Sequence, residues 1–211
     1  IVTGTGFATH DFNHIKRHIP DGAHAALIDV TSAYGVLSLM GPRSRQILEV
    51  AAEGDVSAEA FPFFTVREIQ IGGAPVRALR VTYMGELGWE LHIPTEYMLT
   101  AYETLTEAGA AFGLMDAGYR AIDSLRLEKG YRAWAADIGP DYTPLEAGLR
   151  FAVAFDKTAD FIGRDALLRQ RDAPLAKRLV TLTAEDDPEL LLTGRETILR
   201  NGERVGWLSS G

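Results

Sequence analysis

Tyr83–Met84–Gly85–Glu86–Leu87–Gly88–Trp89–Glu90 is the stretch on which the reading of the chain turns. Its glycines permit a sharp loop whose backbone can approach a flat ligand closely. Tyr83 leaves one expected strand, Val76 to Thr82, and Glu90 stands just inside the next, Trp89 to Ile93. With Trp89 pointing into a core, strand alternation turns Glu90 to the opposite face. A carboxylate there accepts hydrogen bonds through two oxygens, and can take two neighbouring donors of a planar ligand at once. Tyr83 offers an aromatic wall and one hydroxyl. On residues alone, such a glutamate is more often an exposed residue of a hairpin.

Working outward, Phe64 to Ile71 alternates apolar and polar residues, and Gly72–Gly73 turns the chain into Val76 to Thr82, which is a hairpin signature. Downstream, Pro94–Thr95 opens a helix whose Met98, Ala101, Tyr102 and Leu105 share one face. A second helix, from about Ala117 to Lys129, puts Ala121, Leu125 and Glu128 on one side with Ile122 beside them. Upstream, strands are expected at Ile1–Thr3, Ala25–Val30 and Val36–Met40, with a short helix from Asp11 to His18. Gly41–Pro42 precedes a helix carrying Ile47, Leu48 and Ala51. Toward the C-terminus, Leu149–Phe155, Arg178–Thr183, Glu196–Arg200 and Arg204–Leu208 read as strands, with Asn201–Gly202 turning the last pair. Mixed helices and strands without regular βαβ alternation indicate an α+β fold followed by a smaller β-rich module.

A chain of 211 residues can bury a sizeable core, and its 46% hydrophobic and 24% charged residues suit a globular protein. Without cysteine there is no disulfide, no thiol nucleophile and no thiolate metal site. A net charge of −8 argues against nucleic acid, whose binding needs a basic face. No apolar run is long enough to cross a membrane, and the expected setting is soluble and cytoplasmic. Strand-like sequence at both Ile1–Thr3 and Val205–Gly211 suggests a chain cut at both ends from something larger.

Other features read more simply than they first look. Gly4–Thr5–Gly6 resembles the start of a dinucleotide-binding turn with Asp29 as a ribose-binding acid, but Thr9 stands where the third glycine should be. His10, His14 and His18 recur every four residues; three ligands from one short helix cannot surround an ion, and no metal is expected. Glu185–Asp186–Asp187, with Glu189, reads as an exposed turn, and no serine has the context of a hydrolase nucleophile.

Four ordered motifs add a resemblance. Tyr83–Glu90 resembles the Y-x-G-E-x-G-x-E signature of the glycine-cleavage aminomethyltransferase family. Ser124–Leu125–Arg126–Leu127–Glu128, Thr143–Pro144–Leu145–Glu146–Ala147–Gly148–Leu149 and Phe161–Ile162–Gly163–Arg164–Asp165–Ala166–Leu167 resemble further family signatures in the expected order. Val205–Gly211 is similar to a hairpin of the family's C-terminal barrel. The resemblance implies a cloverleaf of ferredoxin-like α+β modules around a tetrahydrofolate, with a C-terminal β-barrel. It implies domains at residues 1–170 and 171–211, and pterin contacts from the residues matching Tyr83 and Glu90, with Gly4 near a segment that passes the folate. The family's assisting aspartate lies on a segment preceding the one matched by Ile1, which leaves no catalytic residue in this chain.

Details select a branch. Glycine-cleavage members read G-x-x-A-R-D before L-R-L-E, whereas this chain has Gly118–Tyr119–Arg120–Ala121–Ile122–Asp123, with Ile122 at the arginine position. Leu127–Glu128–Lys129–Gly130–Tyr131–Arg132–Ala133–Trp134 and Val2–Asp11 resemble the dimethylglycine and sarcosine dehydrogenase branch. That resemblance implies an N-terminal FAD domain oxidising an N-methylated amine, with the folate domain capturing the iminium carbon as 5,10-methylenetetrahydrofolate. A stand-alone aminomethyltransferase or folate-dependent demethylase, and a non-catalytic folate-binding module, are the alternatives.

Overall fold

The computed structural model describes residues 1–184 and 191–211. The acidic stretch Glu185–Asp187 with Glu189 lies outside the described residues. The chain forms two compact units: residues 1–82 with 86–115, and residues 83–85 with 116–211.

The first unit contains α1 (Ala8–Arg17), β1 (Tyr34–Met40), α2 (Ser44–Ala51), β2 (Ala52–Glu53), β3 (Val66–Ile71), β4 (Ala74–Leu79), β5 (Gly88–Pro94) and α3 (Met98–Gly109). Its strands form one sheet in the order β1-β5-β4-β3-β2, every pair antiparallel. The β3–β4 register pairs Ile71 with Ala74, so Gly72 and Gly73 alone make the turn. Both have positive φ (59° and 78°), which is what a two-residue turn of the primed kind requires.

Helix α2 buries Ile47, Leu48 and Ala51, and α3 buries Ala101 and Leu105. These side chains form one apolar cluster with Leu39, Ile69, Ile71, Ala74, Val76, Ala78, Trp89, Leu91 and Ile93 from a single face of the sheet, closed by Val56 and Phe61. The alternation in the sequence and the helical spacing converge on the same core, except that Tyr102, expected on the buried face of α3, is exposed. Each fully buried large side chain stabilises it by about 1.5–3 kcal/mol.

The second unit contains α4 (Tyr119–Glu128), α5 (Arg164–Arg171) and a hairpin of β6 (Thr197–Arg200) and β7 (Glu203–Trp207). Asn201 and Gly202 make its turn with φ of 54° and 81°, as Asn–Gly predicts. Helix α4 departs from expectation: Ala121, Ile122 and Leu125 are half-buried, Glu128 is exposed, and Arg126 is the one buried residue of the helix.

Several expected strands are absent. Ile1–Thr3 and Ala25–Val30 pair with nothing among the described residues, and Ile1 and Ile28 are exposed. Leu149–Phe155 is instead a short 3-10 turn at Arg150–Ala152, its backbone satisfied by bonds such as Ala152 N–H to Leu149 O, with Phe155 buried as an anchor. Arg178–Thr183 forms no strand; Leu179 N–H bonds to Glu146 O. An apolar run becomes a strand only where a neighbour completes its hydrogen bonds. Among the described residues β6 and β7 form a two-stranded sheet, not a closed barrel.

Candidate functional site

Strand β5 lies between β1 and β4, so its backbone is held from both sides. Trp89, Leu91 and Ile93 are all 0% exposed on the core face. Glu90 and His92 therefore project from the other face, as alternation requires. Glu90 stands opposite Ser38 of β1 and Leu79 of β4; His92 stands opposite Val36 and Arg77. The Glu90 side chain keeps 30% of its surface accessible and that of His92 only 14%, with Glu90 Oε2 3.7 Å from His92 Nε2. Arg77 is turned to Glu68 on β3, 3.3 Å away.

Beneath Glu90, Trp89 is locked in place. The guanidinium carbons of Arg45 and Arg80 lie 5.1 and 4.7 Å from its ring centroid, and Phe61 meets it edge-on at 5.9 Å. Arg80 also donates to Gly88 O at 3.0 Å, tying β5 at its first residue. Burial, and then the neighbouring Arg45 charge, lower the proton affinity of Arg80. A fixed Trp89 fixes which way Glu90 faces.

Tyr83 belongs to the second unit. Its ring stacks on Tyr131, with centroids 6.1 Å apart and planes 21° from parallel, and its hydroxyl donates to Arg132 O at 2.8 Å. The phenol is thereby oriented, and its oxygen keeps lone pairs for accepting. Burial chiefly raises its pKa, Asp137, Asp123 and Tyr119 add to that, and Arg126 opposes it. Gly85 has φ of 76° and packs under the Lys129 side chain, so this loop does bend at its first glycine. Gly4, in the first unit, is exposed and precedes a 3-10 turn, Thr5–Phe7; at φ −65° its backbone suits any residue.

Asp29 turns its carboxylate onto its own chain, accepting from Thr31 N–H at 2.9 Å and Thr31 Oγ1 at 2.6 Å. The rings of His14 on α1 and His18 just past its end lie 4.3 Å apart, both residues exposed, and His18 Nδ1 is engaged by His14 O at 2.7 Å. Among the described residues no group of three or more His, Asp or Glu is arranged to hold a metal ion, and no helix is long and apolar enough to cross a membrane.

Sequence reasoning missed a buried polar knot in the second unit. Asp137 accepts from Arg126 Nη1 at 2.5 Å and Ala133 N–H at 2.8 Å on one oxygen, and from Ser209 and Ser210 hydroxyls at 2.5 and 2.7 Å on the other. Arg126 also donates to Tyr131 O, Asp123 and Ser210. Burial pushes the Asp137 carboxyl upward, but the hydrogen bonds and the Arg126 charge outweigh it and hold the group below the usual carboxylate range. Every oxygen is saturated from within. This is a structural clasp. Its one local mark in the sequence is an arginine flanked by Leu125 and Leu127 on α4. His92 was also missed, although it follows Glu90 by two residues on the same strand.

Residues 1–157 match the GCVT N-terminal domain family. The chain is 45% identical over 207 residues to "Sarcosine dehydrogenase, mitochondrial" of Mus musculus, covering 98% of this chain and 22% of that protein. It is 40% identical over 215 residues to "Dimethylglycine dehydrogenase, mitochondrial" of Mus musculus, covering 100% of this chain and 24% of that protein. The crystal structure of glycine cleavage system aminomethyltransferase T from Bartonella henselae matches with a TM-score of 0.73 and 25% identity, over 98% of this chain and 54% of that one. The chain thus spans under a quarter of the length of either dehydrogenase. A family match over most of its length, agreeing with the mixed helix-and-strand architecture, establishes that this chain belongs to the aminomethyltransferase family through its GCVT N-terminal domain.

Proposed function

We propose that this chain is the tetrahydrofolate-binding part of a flavin-dependent dehydrogenase of N-methylated glycines such as dimethylglycine or sarcosine. Its role is to capture the one-carbon iminium product as 5,10-methylenetetrahydrofolate. The observation that carries the proposal is the position of Glu90, a partly exposed carboxylate facing away from the core on a strand paired along both edges. The kinship with enzymes named for sarcosine and dimethylglycine supports the substrate class.

The donor set suits a reduced pterin. Glu90 offers two acceptor oxygens to the adjacent N–H and amino groups of the ring. Tyr83 contributes its aromatic face, with its hydroxyl already oriented by Arg132 O. Gly4 keeps the weaker role of a segment passing the folate. When bound, tetrahydrofolate would supply the nucleophilic nitrogen, and Glu90 would fix the pterin so that capture is favoured over loss of formaldehyde. FAD is assigned to a part of the parent protein outside this chain. The folate-binding domain ends near residue 170, and the β6–β7 hairpin belongs to a β-rich, barrel-type module after it.

The test is titration of the full-length protein with tetrahydrofolate, wild type against Glu90→Ala. The variant should lose about 2 kcal/mol of binding free energy, the worth of a charged, paired acceptor. Equal affinities would overturn the proposal.

A further inference from the structure

We infer that His92 is a positioning residue for Glu90, setting the carboxylate at the angle a planar ligand needs. The inference rests on the folate reading above and deepens it.

His92 Nε2 is fully buried and has no hydrogen-bond partner among the described residues. Leaving such an atom unpaired is costly, and buried ring nitrogens are ordinarily satisfied. The groups flanking it do not relieve it. Val36 on β1 is apolar, and Arg77 on β4 is a donor already turned to Glu68. The acceptor it approaches is Glu90 Oε2, at 3.7 Å, less than an ångström beyond hydrogen-bonding distance. Two residues apart on one strand face, the pair is set side by side by backbone geometry.

A carboxylate oxygen has two lone pairs. Oε2 can accept from a ligand on its exposed side and from Nε2–H on its buried side. When a flat ligand seats two donors on Glu90 and displaces water, the lower local dielectric strengthens the Nε2–H to Oε2 bond and draws the two atoms together. The imidazole then restrains rotation of the carboxylate about its last torsion, the motion that would break a paired contact. This role needs the proton on Nε2. It is support from behind the ligand, not contact with it.

Tetrahydrofolate titration of the full-length protein separates the possibilities. His92→Phe keeps the bulk and removes the donor, and should weaken binding about tenfold. His92→Gln carries an amide nitrogen near the Nε2 position and should stay within about twofold of wild type. In a Glu90→Ala background, His92→Phe should cause no further loss. The inference falls if His92→Phe binds like wild type while Glu90→Ala does not. It falls equally if the His92→Phe loss persists without Glu90, because packing alone would then explain it. If Glu90→Ala itself binds normally, the folate reading fails and takes this inference with it.

Discussion

Replacing Asp137 with alanine should unfold the second unit far more readily than its single lost side chain suggests. Asp137 is 6% exposed and Arg126 4%. Removing the carboxylate strips acceptors from Arg126, the Ala133 N–H and the hydroxyls of Ser209 and Ser210 together. Arg126 retains the Tyr131 carbonyl, Ser210 and an exposed Asp123 at 3.4 Å, but its charge is left buried without its close counter-ion. Breaking such a pair costs about 3–5 kcal/mol. Asp137→Asn keeps one acceptor and loses the charge, so about 1.5–3 kcal/mol is expected. Urea unfolding with 5-fluorotryptophan labelling gives a direct assay, because Trp134 and Trp207 report the second unit and Trp89 the first. At roughly 1–3 kcal/mol per molar urea, Asp137→Ala should lower the Trp134 and Trp207 midpoints by about 1 M or more. An unfolding free energy within about 0.5 kcal/mol of wild type would refute the reasoning, since it would mean that the knot is solvated in solution.

The same carboxylate predicts acid sensitivity. Its folded pKa is depressed, so its stabilisation is complete above the unfolded value of about 3.9 and is lost as pH falls through the folded one. Trp134 and Trp207 resonances should report this loss below about pH 4, and the loss should be smaller in Asp137→Asn. In the first unit, Leu48→Ala removes a side chain that is 0% exposed and should cost about 2–5 kcal/mol by urea unfolding monitored at Trp89. Asn201→Val forces a β-branched residue to φ of 54°, and should speed amide exchange across the β6–β7 hairpin by about tenfold.

The first unit was largely legible because its elements state their own faces. Alternation in β3 to β5 and the spacing of Ile47, Leu48 and Ala51 each name a buried side, and Gly72–Gly73 dictates the turn. Glu90 was readable for the same reason: Trp89 had to go inward. His92 carried the same signal one pleat further along. Less legible were segments whose state depends on a remote neighbour. Ala25–Val30 and Leu149–Phe155 are as apolar as true strands but find no ladder among the described residues. Asp137 reaches Arg126 only when the chain folds back after Gly130, and nothing in the spacing of the two residues announces that pairing. Nor does sequence announce that the Tyr83 hydroxyl is spoken for by a carbonyl at residue 132.

Because β5 is hydrogen-bonded along both edges, position 90 has almost no freedom in its main chain. Any adaptation to different occupants must come from side-chain torsions or from exchanging the residue itself. Such a position is a natural socket for redesign: glutamine, aspartate or histidine can be tried there to alter which hydrogen-bonding edge is accepted, while the surrounding scaffold stays as it is.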